Sequence, residues 1–114
     1  NHGIILPDAD IAQAVKDISG AADGSAGERC MALSAVVTVG EKTGDQFIEA
    51  MTDEINRLKV GISTDGEADY GPLVTNEHRN KVEDYIQMGI DEGAELVVDG
   101  RLRVRLFSRA ITLR

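Results

Sequence analysis

The run from Met31 to Val39 constrains this chain more than any other feature. It is nearly continuous in apolar character and β-branched toward its end, the pattern of a strand covered on both faces. Such a strand needs helices on each side of its sheet, so the chain is expected to build a layered α/β fold. Gly3 to Leu6 is a second, shorter apolar run, ended by Pro7, and its length favours a buried strand over a helix.

Helical spacing fills the intervals. Asp8 or Asp10 can cap a helix in which Ile11, Val15, Ile18 and Ala22 make one apolar face. Gly20 and the run Gly24-Ser25-Ala26-Gly27 should end that helix between residues 20 and 27. Phe47, Met51, Ile55 and Leu58 share a stripe over 43–58, with Asp45, Glu49, Asp53 and Glu54 largely off it. Residues 59–74, with three glycines and Pro72, read as a loop. A third helix is expected over 76–92, with Val82, Ile86 and Ile90 in register, Tyr85 beside them and Gly93 as a left-handed stop. Ala94 to Val98 reads as a last strand, closed by Asp99-Gly100. The order strand, helix, strand, helix, helix, strand predicts a mostly parallel sheet.

Composition narrows the function. The formal charge of −8 argues against a general nucleic-acid binder. No apolar run approaches the roughly 18 residues of a membrane span. The single cysteine cannot form an internal disulfide, which makes a reducing compartment the default. Charge is also unevenly placed. Residues 101–114 hold Arg101, Arg103, Arg105, Arg109 and Arg114 and no acid, while every acid lies before them. The alternation from Arg101 to Leu106 suits an amphipathic strand with a basic face; an exposed edge explains it more simply than phosphate binding.

Cys30 is the informative candidate for chemistry. It lies between a glycine-rich, poorly helical stretch and a buried strand, where a side chain can be held rigidly and still reach a cleft. The thiolate is the nucleophile, and the adjacent cation Arg29 favours it. The alternative is a small buried hydrophobe, the usual fate of a lone cysteine. His2 and His78 are candidates for a Cys–His dyad, which would make a thiol hydrolase, although both suit structural or solvated roles better. No metal-ligand spacing occurs, and neither a phosphate loop nor a Rossmann glycine fingerprint is present. Asp8-Ala9-Asp10 looks like paired carboxylates, but capping accounts for it.

Asn1-His2-Gly3-Ile4-Ile5-Leu6-Pro7-Asp8-Ala9-Asp10, Gly27-Glu28-Arg29-Cys30-Met31-Ala32 and Gly71-Pro72-Leu73-Val74 together resemble the aldehyde dehydrogenase superfamily, and within it the CoA-acylating methylmalonate-semialdehyde branch. The likeness runs from residue 1 to about residue 100 and includes Ala94 to Gly100. It implies a three-layer α/β catalytic-domain fold with a mostly parallel sheet. It also implies a mechanism in which Cys30 attacks the aldehyde carbon, hydride passes to NAD, and the resulting thioester is taken by coenzyme A. Arg29 matches the arginine placed to bind the semialdehyde's carboxylate, a task suited to a planar bidentate donor. A small-molecule semialdehyde substrate (methylmalonate or malonate semialdehyde), a homo-oligomer and a cytoplasmic or mitochondrial-matrix setting follow from the same resemblance.

The family's nucleotide-binding segments and downstream motifs have no counterpart here, and the chain opens on an apolar run without a Met. The expectation is therefore a partial catalytic domain over 1–100, a divergent basic tail over 101–114, and an isolated chain that binds no cofactor tightly. Such a piece should be inactive and either oligomeric or poorly soluble. The contrasting expectation is an inactive α/β module that serves only association or structure.

Overall fold

Two short strands run parallel, β1 over His2–Ile5 and β2 over Ala35–Thr38, in the register His2↔Ala35 to Ile5↔Thr38. The computed structural model describes residues 1–101. The chain divides into two units, Asn1–Leu58 and Lys59–Arg114, and the expected basic tail beyond Arg101 lies outside the described residues.

In the first unit β1 ends where Pro7 removes a backbone donor and Ala9 N–H donates to Leu6 O in a turn. Asp10, not Asp8, caps the helix that follows, its carboxylate accepting from Gln13 N–H at 3.1 Å. That helix, α1 (Ile11–Asp23), carries the chain across to β2. Gly20 lies inside it and faces open space, and the helix passes through this glycine to end at Asp23, just before Gly24.

The strand expected over Met31 to Val39 is shorter and barer than its sequence suggests. Its ladder partner begins at His2, so pairing starts at Ala35, with Asn1 O accepting from Ser34 N–H and Ala35 N–H. Upstream, Ala32 N–H donates to Arg29 O and bends the chain into a turn. Among the described residues only one face of the pair is covered. Ile5 is 4% exposed, whereas Ile4 and its cross-strand partner Val37 are 69% and 52% exposed.

The covering element is α2 (Glu41–Arg57). Phe47, Met51 and Ile55 are buried along its stripe, and Gly44 brings it close to β2. A Cβ on Gly44 would lie 3.1 Å from Thr38 Oγ1. Helix α1 packs beside α2. Burying side chains of this size contributes roughly 1.5–3 kcal/mol each.

In the second unit the loop over 59–74 is drawn together by a parallel bridge between Val60 and Tyr70. Lys59 N–H also donates to Asp69 Oδ2 at 2.7 Å. Thr75 then caps α3 (Asn76–Asp91), accepting from His78 N–H at 3.1 Å. Ile86 is buried and Val82 and Ile90 are half-buried, as the stripe predicts. Tyr85, expected beside them, is exposed instead, with the Lys81 ammonium 5.9 Å from its ring. One residue is 100° of helix, enough to carry its ring off the buried stripe.

Gly93, at φ +97°, ends α3 as expected: its N–H donates to Ile90 O and that of Ala94 to Gly89 O, the Schellman pattern. Where a strand is expected over Ala94 to Val98, the described residues show a bridge position at Leu96 and no ladder among themselves. Among the described residues no helix is long and apolar enough to cross a membrane.

Candidate nucleophile loop

The segment between α1 and β2 is folded back onto the helix that precedes it. Ser25 (φ 58°), Ala26 (φ 54°) and Gly27 (φ 75°) are all left-handed. For a non-glycine residue that conformation costs roughly 1–2 kcal/mol, because Cβ crowds the following carbonyl. The turn persists because its surroundings hold it. Glu28 N–H donates to Ser25 O at 3.0 Å, and Leu33 N–H donates to Ala21 O at 3.2 Å. The first bond closes the turn within the loop, and the second ties its far end to the last turn of α1. Downstream, Asn1 Nδ2 donates to Ala32 O at 3.4 Å, joining the loop to the start of β1.

Cys30 lies in this loop and is exposed. Among the described residues nothing buries it. Arg29 folds its guanidinium back over Gly24, where a Cβ would lie only 2.6 Å from Arg29 Cζ. A glycine at that position therefore gives the arginine its seat. The arrangement is chemically simple: a solvent-accessible thiol on a braced turn, with a guanidinium from the adjacent residue.

One polar feature escaped the sequence pattern. Ser19 and Asp23 are 3% and 6% exposed, and Ser19 Oγ donates to Asp23 Oδ2 at 3.3 Å. Burial pushes the Asp23 carboxyl from its ordinary 3.8 up to about 6, and the Ser19 hydroxyl offsets part of that rise. The buried line of α1 is Val15, Ser19 and Asp23, beside the expected face of Ile11, Val15, Ile18 and Ala22, which is otherwise half-buried. The available signal was the unbroken i, i+4 spacing of these three residues.

The remaining candidates fall elsewhere. His2 is exposed on β1, and His78 is exposed in the first turn of α3 in the second unit. Arg101, the first cation of the basic segment, is engaged by its own neighbourhood. Its Nε and Nη2 donate to Asp99 at 2.9 Å and 2.7 Å, and its Nη1 donates to Gln87 Oε1 at 3.3 Å. Those hydrogen bonds hold the Asp99 carboxyl below the usual carboxylate range. Among the described residues no group of three or more His, Cys, Asp or Glu side chains is gathered for a metal ion.

The sequence profile of the aldehyde dehydrogenase family matches residues 1–110. A malonate-semialdehyde dehydrogenase from Pseudomonas aeruginosa is 50% identical over 101 residues, which is 89% of this chain and 20% of that protein. Among solved structures, a methylmalonate-semialdehyde dehydrogenase from Oceanimonas doudoroffii matches with a TM-score of 0.94 and 44% identity, over 99% of this chain and 24% of that one. Another, from Sinorhizobium meliloti and complexed with NAD, matches with a TM-score of 0.87 and 46% identity, over 97% and 23%. The chain therefore spans about a fifth of the length of the curated relatives it matches.

Proposed function

Because the chain belongs to the aldehyde dehydrogenase family, we propose that Cys30 is the nucleophile that adds to the aldehyde carbon of methylmalonate or malonate semialdehyde, and that Arg29 holds the carboxylate of that substrate. The overall reaction in this reading is NAD-dependent oxidation with acyl transfer to coenzyme A, giving propionyl-CoA or acetyl-CoA as carbon dioxide leaves. The observation that carries it is the exposed thiol of Cys30 on a braced left-handed turn.

The described residues do not themselves fit either nucleotide. A diphosphate favours a helix N-terminus free of negative charge. Here α1 is capped by Asp10, α2 opens with Glu41 and α3 carries Glu77 in its first turn. The step these residues supply is the addition alone. The thiolate sulfur forms a bond to the carbonyl carbon, the π pair moves to oxygen, and protonation there leaves a thiohemiacetal. Arg29 contributes a two-pronged donor to the carboxylate, which sets the orientation of the aldehyde before attack.

Cys30 is the only cysteine, so alkylation by iodoacetamide reports on it alone. Methylmalonate semialdehyde should protect it, and propanal, which lacks the carboxylate, should protect it less. Arg29→Ala should erase the difference. Equal protection by both aldehydes in the unsubstituted chain would overturn the role of Arg29, and no protection by either would overturn that of Cys30. A second reading, an inactive module that serves association, draws on the bare apolar face of Ile4, Leu6, Val37 and Val39. It gains if the thiol labels only in denaturant.

A further inference from the structure

Helix α1 ends without the usual devices. Gly24 at its C-cap is not left-handed, no cation lies in its last turn, and Gly20, Ala21 and Ala22 offer nothing larger than a methyl group. Such an end should fray, since it has little side-chain packing and a glycine within it. Yet this turn holds the nucleophile loop. Ala21 O receives the Leu33 N–H, and Ala22 O lies 3.2 Å from where a Cβ on Gly27 would stand. The side chains that can grip it are those at its two edges, Ser19 and Asp23, both buried and hydrogen-bonded to each other.

We propose that the buried Ser19–Asp23 pair positions the nucleophile loop, locking the last turn of α1 so that Ala21 O and the left-handed turn stay in place beneath Cys30. The pair acts through the backbone and touches no substrate, so these are positioning residues. Burying a polar pair is a poor way to gain stability, because a well-packed apolar side chain usually does as well or better. Its contribution here is directional: a hydrogen bond fixes the angle between successive turns where apolar contact would let the end slide. The functional meaning rests on Cys30 being the nucleophile, but the positioning itself does not.

The test compares Asp23→Leu, Ser19→Ala and Asp23→Asn in the intact chain. Readouts are amide hydrogen exchange at Leu33 and iodoacetamide alkylation of Cys30. Asp23→Leu and Ser19→Ala remove the hydrogen bond and should speed Leu33 exchange by about tenfold through local opening, and should change the alkylation rate in step. Asp23→Asn keeps an acceptor for Ser19 Oγ and should exchange Leu33 no faster than the unsubstituted chain. Asp23→Leu should do this while its denaturation midpoint stays equal or rises, which a merely stabilising role would not produce. Should Asp23→Leu fail to fold, Ser19→Ala carries the comparison. Leu33 exchange unchanged in Ser19→Ala, or Asp23→Asn as fast as Asp23→Leu, would overturn the proposal. Because Leu33 exchange involves no aldehyde, failure of the semialdehyde protection experiment is a separate result.

Discussion

Asp23 should make the stability of this chain depend on pH in the direction opposite to most carboxylates. Its carboxyl titrates near 3.8 when the chain is unfolded and at about 6 when folded, because burial penalises the ionised form. The folded state therefore keeps its proton longer than the unfolded state. The contribution from Asp23 is most favourable below pH 4, declines as pH rises from about 4 to about 6, and is level above that. A gap of about two pKa units, at 1.36 kcal/mol each, sets a ceiling of about 3 kcal/mol on the loss. The carboxylate would also sit at the negative end of α1, a position that disfavours a negative charge. Asp23→Asn removes the titration and retains the shape. Urea denaturation of both chains between pH 4 and 8 cancels the other acids in the difference. The Asn variant should gain on the unsubstituted chain by up to about 3 kcal/mol as pH rises through this window. A difference that stays constant from pH 4 to pH 7 would refute the assignment.

Ala26→Gly should stabilise the chain by about 0.5–1 kcal/mol, because relief of the left-handed strain outweighs the entropy that glycine adds to the unfolded state; thermal or urea unfolding measures it. Arg101→Met should raise the pKa of Asp99 toward the ordinary carboxylate value, read from its side-chain carbon shifts in an NMR titration. The Asp99 contribution is present above the unfolded pKa and lost as pH falls through the depressed folded one, so the variant, with that gap narrowed, should lose less stability on acidification. Charge placed on the bare sheet face by Ile4→Lys with Val37→Glu should reduce binding of a hydrophobic dye and any concentration-dependent association, because both positions face away from the core.

The elements that were legible in the sequence are those whose signal is local. Phe47, Met51 and Ile55 recur every four residues and bury one face of α2; Asp10 caps α1; Gly93 ends α3 in the backbone conformation only glycine takes readily. The exposed setting of Cys30 agrees with its place between a glycine-rich stretch and a strand. Misjudged elements depend on partners distant in sequence. A β-branched run shows that Met31 to Val39 suits a sheet, but pairing begins only where β1 begins, and cover on both faces depends on what else packs there. Ser19 and Asp23 were missed for another reason. An apolar stripe is sought by its apolar residues, and a buried serine and aspartate are invisible to that search.

That blind spot coincides with the site. The turn before Cys30 is built from small residues because Gly24 must admit the Arg29 guanidinium, while Ser25, Ala26 and Gly27 must all pass through the left-handed region. Smallness continues backward through Ala22, Ala21 and Gly20, which leaves the end of α1 without apolar side chains to anchor it. An apolar anchor one turn away would hold the helix but not the orientation of Ala21 O, on which Leu33 hangs. A hydrogen bond specifies that orientation, at the expense of burying a carboxyl whose proton is then held to about pH 6. A buried carboxyl thus lies behind the loop that carries Cys30. This is where local sequence rules are expected to fail when a site demands geometry over stability.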